Sequence, residues 1–266
     1  MLHAKSPAAP STDSTKVSAN TTLHNDAKLQ PRRMVIDTTL LWPGPTLCIK
    51  FLDGSQDLHD RVKRIIEREY QPLIYLDLNF IDTGESNIRI SFNTRVNESY
   101  VGTAARVKGP EEPTMNLHIT TSTPQKTLER SVLHEFGHAL GALHEHSSPD
   151  CPIIWNEEEV YKSYPLDKKS IYLNVLHKES SADIRYSQFD PTSIMMYQFS
   201  QSLTRNGRFT QLNTGLSDTD KHFMSIAYPK PKEGHAEHPP ITQRVRTWFY
   251  NLVDQTFSIR GVLTKI

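Results

Sequence analysis

Eleven consecutive residues carry the chemistry in this chain: His134-Glu135-Phe136-Gly137-His138-Ala139-Leu140-Gly141-Ala142-Leu143-His144, a pattern H-E-x-x-H-x-x-G-x-x-H. Residues at i and i+4 lie on one face of a helix, so His134 and His138 can share a metal ion. Glu135, beside that pair, can take a proton from a water that the metal acidifies. Gly141 tolerates positive φ, so it can end the helix and swing the chain back, and His144 then supplies a third nitrogen. Three protein ligands leave the fourth position of a tetrahedral zinc open, as catalysis requires. An ordinary core helix has no reason to place His, Glu and His on its packing side, because buried polar groups without partners are costly.

These residues must be positioned by the segments around them. Thr46 to Leu52 reads as a strand, and Leu58, Val62, Ile65, Ile66 and Tyr70 recur at helical spacing. Ile74–Phe80, Ile88–Phe92 and Thr114–Thr120 alternate apolar and polar residues, which predicts three further strands. Thr123 is the expected cap of the metal-binding helix, with Pro124 at its first position. Past His144 the pattern predicts helices over 156–164, 167–178 and 217–228, the last with Ser217 as N-cap and Asp220 at N3.

A second signature follows the first. Asp190-Pro191-Thr192-Ser193-Ile194-Met195-Met196-Tyr197 resembles the Met-turn of the metzincin metalloproteases, and together with H-E-F-G-H-A-L-G it is similar to the astacin- and matrixin-like enzymes of fungi and bacteria. The likeness covers roughly residues 42 to 229. It implies an α+β zincin fold: a twisted mixed sheet, two long helices above the cleft and a lower subdomain that is mostly irregular or helical. It also implies a zinc-dependent endopeptidase. His134, His138 and His144 would be the Zn2+ ligands, Glu135 the general base, Met195 the apolar floor of the site and Tyr197 a donor to the oxyanion. An extended peptide would add antiparallel to an edge strand around Met115 to Ile119. In astacins a Glu placed like Glu145 pairs with the mature N-terminal amine. Here the residues after it, His146-Ser147-Ser148-Pro149, lack the usual Arg and Asp, and the four-cysteine framework is missing. Two alternatives compete: a non-catalytic zinc protein serving as a binding module, and a site with Glu157 as third ligand, separated from His138 by eighteen residues. The second leaves Gly141, His144 and Met195-x-Tyr197 without a role.

Composition bounds the rest. Thirty basic and thirty acidic residues cancel, which removes the electrostatic footprint expected of a nucleic-acid binder. No apolar run approaches the ~18 residues of a membrane span, and Met1–Gln30 has no apolar core of a signal peptide. The expected compartment is therefore the cytoplasm or one reached by a non-classical route, while the family likeness favours the extracellular space. Residues 1–33 are too poor in apolar side chains to order themselves, so a disordered segment is expected there. A catalytic domain is expected over 34–231. A tail over 232–266 is expected to carry an amphipathic helix through Val245, Trp248, Phe249, Leu252 and Val253. The expected working unit is a monomer. Cys48 and Cys151 are expected to stay unbonded, and His146, His118, His59, His177 and His222 to be surface or core-edge residues.

Overall fold

The structure, a computed structural model, describes residues 34–164, 166–180, 184–186 and 188–230, and the backbone of 263–265. Its elements in chain order are β1 (Ile36–Asp37), β2 (Thr46–Phe51), α1 (Gln56–Glu69), β3 (Asp77–Phe80), β4 (Ile88–Ser91), β5 (Glu98–Tyr100), β6 (Met115–Asn116), α2 (Gln125–Ala139), α3 (Glu157–Ser163), α4 (Lys168–Ile171), β7 (Ile184–Arg185), α5 (Asp218–Ala227) and β8 (Leu263–Lys265). The disordered segment expected over 1–33 and the amphipathic stripe at Val245–Val253 lie outside the described residues.

The main sheet runs β3-β2-β4-β6-β5-β8. β2 pairs parallel with β3 and β4, and β4 parallel with β6. β5 is antiparallel to both β6 and β8. β4 lies inside the sheet, and all four of its residues are buried, as expected of a parallel strand covered on both faces. Arg89 survives there because its guanidinium donates to the Glu112 and Ser86 carbonyls at 2.7 and 2.8 Å. α1 is capped by Ser55, and its apolar stripe of Leu58, Val62, Ile65 and Ile66 is wholly buried. That stripe shares one core with Leu47, Ile49, Ile88 and Ile90 of the sheet and with Leu128, Val132, Leu133 and Phe136 of α2. The Tyr70 hydroxyl, just past α1, donates to the Leu133 carbonyl at 2.6 Å and ties the two helices together.

Beyond His144 the chain is mostly irregular. A second core of Cys151, Ile153, Val160, Ile171, Val175, Met196, Phe199 and Leu203 gathers α3, α4 and the chain after the Met-turn. Both cysteines are free thiols.

Four expectations are corrected. The strand at Met115 is two residues long and internal, with β4 on one side and β5 on the other, so it cannot receive an added peptide. β5 was not expected at all, because Glu-Ser-Tyr carries no alternating apolar signal. Thr123 does not cap α2: the N-cap is Pro124 and makes no side-chain bond, while the Thr123 hydroxyl accepts from the Thr120 amide at 2.9 Å. The helix expected over 167–178 is two pieces, α4 and a π-helical stretch over Tyr172–Leu176.

Candidate active site

α2 delivers His134, Glu135 and His138 fully buried. It then stops in a Schellman motif: the Gly141 amide bonds the His138 carbonyl at 2.8 Å and the Ala142 amide bonds the Gly137 carbonyl at 3.0 Å. Gly141 has φ of +98°, where a Cβ would be strained. Two carbonyls of the last turn find side-chain donors from far away in the chain. The Trp42 indole donates to the Ala139 oxygen at 2.7 Å and the Tyr228 hydroxyl to the Leu140 oxygen at 2.9 Å. The chain after the turn is pinned on both sides of His144. The Leu143 amide bonds the Val35 carbonyl at 2.9 Å and the Glu145 amide the Met195 carbonyl at 3.1 Å.

The three imidazoles converge, with ligand atoms all within 4.8 Å of one another. His134 Nδ1 faces the Ile194 carbonyl and His138 Nδ1 the Ala142 carbonyl, each at 2.8 Å. A carbonyl only accepts, so both rings carry their proton on Nδ1 and present a bare Nε2 lone pair. His134 Nε2 is buried without a hydrogen-bond partner among the described residues. His138 Nε2 and His144 Nε2 stand 3.0 Å apart. Burial holds the His134 and His144 rings well below the usual imidazole range and brings His138 down to about 4. Three neutral rings whose Nε2 atoms converge, with the His134 lone pair left without a hydrogen-bond partner among the described residues, suit a zinc ion. Glu157 stands exposed in the first turn of α3, outside this group.

Glu135 is fully buried, and neither carboxylate oxygen has a hydrogen-bond partner among the described residues. Burial pushes its carboxyl well above the usual range; the nearby Arg130 opposes this and Glu98 of β5 adds to it. Tyr197 packs its ring 4.0 Å from that of His144 and 5.6 Å from that of His134. Burial and Glu135 raise its phenol well above the usual range, so it stays a donor.

Beneath the rings lies the Met-turn. Met195 is fully buried in the core shared with α2, whereas Met196 joins the second core. The turn is held by Asp220, which accepts from the Ser193 hydroxyl and the Ile194 amide, both at 2.7 Å. Asp220 also completes a capping box with Ser217, as the sequence suggested. One chain of bonds therefore runs from the α5 cap through the Met-turn to His134 Nδ1. The partnership of Asp220 with Ser193 and Ile194 was invisible to sequence reading; the only signal was a buried-type serine before the methionines. His146 was also misread. It is fully buried, its ring stacks 5.1 Å from that of His144, and its Nε2 meets the Asn174 carbonyl at 3.0 Å. It packs against Tyr197, Trp155 and Phe199, and so supports both His144 and Tyr197 from behind. Glu145 is buried as well: its Oε1 accepts from the Asp190 amide at 2.8 Å, and burial pushes its carboxyl up to about 9.

No family model matches the chain, and no curated relative matches it. Among solved structures it is similar to one of myroilysin at TM-score 0.69 and 32% identity, covering 74% of this chain and 100% of that one. A second structure of myroilysin aligns at TM-score 0.57 and 30% identity, covering 72% and 87%. High choriolytic enzyme 1, a hatching enzyme zinc-protease from the medaka fish Oryzias latipes, aligns at TM-score 0.50 over 73% of this chain and 96% of its own, at 15% identity, a likeness of fold alone. No helix among the described residues is long and apolar enough to cross a membrane.

Proposed function

The chain belongs to the astacin-like metzincin zinc metalloproteases and is a zinc-dependent endopeptidase, and from that premise we propose how its own residues carry out peptide-bond hydrolysis. His134, His138 and His144 would hold the ion, His134 and His138 through the Nε2 that their Nδ1 contacts with carbonyls leave bare, and His144 braced by the stacked ring of His146. Zinc bound there supplies Lewis acidity, which polarises a scissile carbonyl and acidifies a water molecule. Glu135 takes the proton of the attacking water and delivers it to the leaving amine. Its buried setting raises its proton affinity, which strengthens it as a base. Tyr197 keeps its proton and donates to the oxyanion as negative charge develops, an interaction absent from the ground state.

Substrate backbone adds antiparallel along the outer edge of β5. This strand lies against the zinc helix: the Asn97 side chain donates to the Ser131 hydroxyl at 3.4 Å, one helical turn before Glu135. Next along the chain from Tyr197, Gln198, Phe199, Ser200, Phe209 and Thr210 line an open hollow of mixed polar and apolar character, which offers a place for a substrate side chain. All of these groups come from one chain, so a monomer suffices.

The observation that carries this reading is the set of three buried imidazoles whose ligand nitrogens converge within 4.8 Å while carbonyls tie down the Nδ1 protons of His134 and His138. The test is cleavage of a denatured proteome by the zinc-loaded protein, by the same protein with a chelator, and by zinc-loaded Glu135→Gln. Cleavage should vanish with chelator and fall by at least ~10²–10⁴-fold in the variant, with zinc retained. A zinc-loaded Glu135→Gln protein within tenfold of wild type would remove Glu135 from the role of base.

A further inference from the structure

β5 has two edges. The inner one pairs with β6, with Glu98 opposite Asn116 and Ser99 opposite Met115. The outer one is the edge assigned above to the substrate backbone, and in this structure β8 occupies it. Leu263, Thr264 and Lys265 run antiparallel to β5, with Lys265 opposite Glu98, Thr264 opposite Ser99 and Leu263 opposite Tyr100. A strand edge offers one row of amides and carbonyls, so it cannot pair with β8 and with a second chain at once. The place and the antiparallel sense are those of the proposed substrate.

The geometry points to self-competition: the segment Leu263–Lys265 occupies the substrate-accepting edge of β5 and must leave before an extended peptide can dock. This rests on the substrate edge proposed above. The register brings a segment remote in sequence beside a strand that itself touches the catalytic helix, and Glu98 at one end of the paired stretch lies in the field of Glu135. Thirty-two residues separate Lys230 from Leu263, a tether that can extend by up to ~3.3 Å per residue. Three paired residues make a weak strand, and tethered strands of this kind face an effective concentration of about millimolar. The device is thus a displaceable brake that reduces the fraction of open enzyme. With the edge occupied ~70–90% of the time, apparent substrate affinity falls about 3- to 10-fold, in proportion to the open fraction. Groups at the zinc site are untouched, so turnover of bound substrate is unaffected.

The test compares the full chain with its Leu263→Pro/Thr264→Pro form. Successive residues of a strand point their amides to opposite sides, so two adjacent prolines remove a donor facing β5 whichever way the register alternates. Hydrogen exchange at the amides of Glu98–Tyr100 reads the pairing. Binding of a labelled extended peptide to both forms, each carrying Glu135→Gln and loaded with zinc, reads competition independently of catalysis. The expected result is faster exchange at Glu98–Tyr100, 3- to 10-fold tighter peptide binding, and, in the forms with Glu135 intact, a lower KM with kcat within twofold. Unchanged exchange would overturn the pairing. Faster exchange with affinity unchanged within 1.5-fold would overturn the competition. A KM of the unsubstituted chain that rises with enzyme concentration would overturn the intramolecular origin and assign β8 to a second copy. A failure of the protease reading looks different: peptide binds and responds to the prolines, yet the intact enzyme cleaves nothing.

Discussion

Replacing Gly137 with alanine opposes two effects of similar size, and the structure decides between them. Gly137 lies inside α2 between His134 and His138. On propensity alone, alanine at a helix interior is favoured by about 1 kcal/mol. A Cβ at Gly137, however, would sit 2.6 Å from the Met195 sulfur and 3.2 Å from the Tyr70 hydroxyl oxygen. Both neighbours are fully buried, and Tyr70 is locked by its bond to the Leu133 carbonyl. The methionine must therefore move within a close-packed floor, and overpacking of this kind costs about 1–3 kcal/mol, here toward the upper end. The expected net loss is about 1–2 kcal/mol, which lowers the thermal midpoint by roughly 2–8 °C for a domain of this size. The assay is thermal unfolding of wild type, Gly137→Ala, Met195→Ala and the double variant, each with zinc and with chelator. Met195→Ala is itself destabilising through its cavity, but in that background the alanine at 137 should become neutral or stabilising, a coupling of about 1–3 kcal/mol. A midpoint raised by Gly137→Ala, or an identical effect in both backgrounds, would refute contact between the helix and the Met-turn as the reason for glycine.

Tyr197→Phe should retain zinc and fold but lose about 10²–10³-fold in kcat with KM nearly unchanged; kcat within threefold of wild type on one peptide would remove the hydroxyl from catalysis. His144→Ala should lose tight zinc binding while Glu157→Ala keeps it, as elemental analysis of the purified proteins will read. Asp220→Ala should lower the thermal midpoint strongly, since it strands the Ser193 hydroxyl and the Ile194 amide in the interior, at roughly 1–3 kcal/mol for each unsatisfied group. Asp220→Asn should be tolerated, because an amide can accept from the Ile194 and Ser217 amides while donating to Ser193. Burial pushes the Asp220 carboxyl up to about 6, from 3.8 for a free aspartate, so between those values the folded state holds a proton that the unfolded state has released. Stability from this group therefore falls as pH rises from about 4 to 6. Relative to Asp220→Asn, wild type should lose about 2–3 kcal/mol across that window. Chemical denaturation of the two proteins reads the difference, in which loss of metal at acid pH cancels, and a flat difference would contradict the shift.

The spacing of His134, Glu135 and His138 determined their common face, because helical periodicity is local and every donor needed for it lies within four residues. Gly141 likewise announced the end of the helix and the return toward His144, since a positive φ is a property of the residue itself. The stripe of α1 and the alternation in β2 and β4 were legible for the same reason. What the chain could not reveal were contacts between residues far apart in sequence. The His134 tautomer is fixed by a carbonyl sixty residues away, and a carbonyl in the last turn of α2 is satisfied by an indole ninety-seven residues earlier. Asp220 read as a helix cap and became in addition the anchor of the Met-turn. His146 read as peripheral and became the buried backing of His144, because burial depends on which aromatic side chains the fold brings around it. The edge proposed for the substrate is β5 rather than Met115–Ile119: strand order is a long-range pairing decision, and three residues of Glu-Ser-Tyr carry no pattern by which to foresee it. Only the tertiary structure, likewise, could set β8 against that edge, since pairing across more than 160 residues leaves no local trace in either strand.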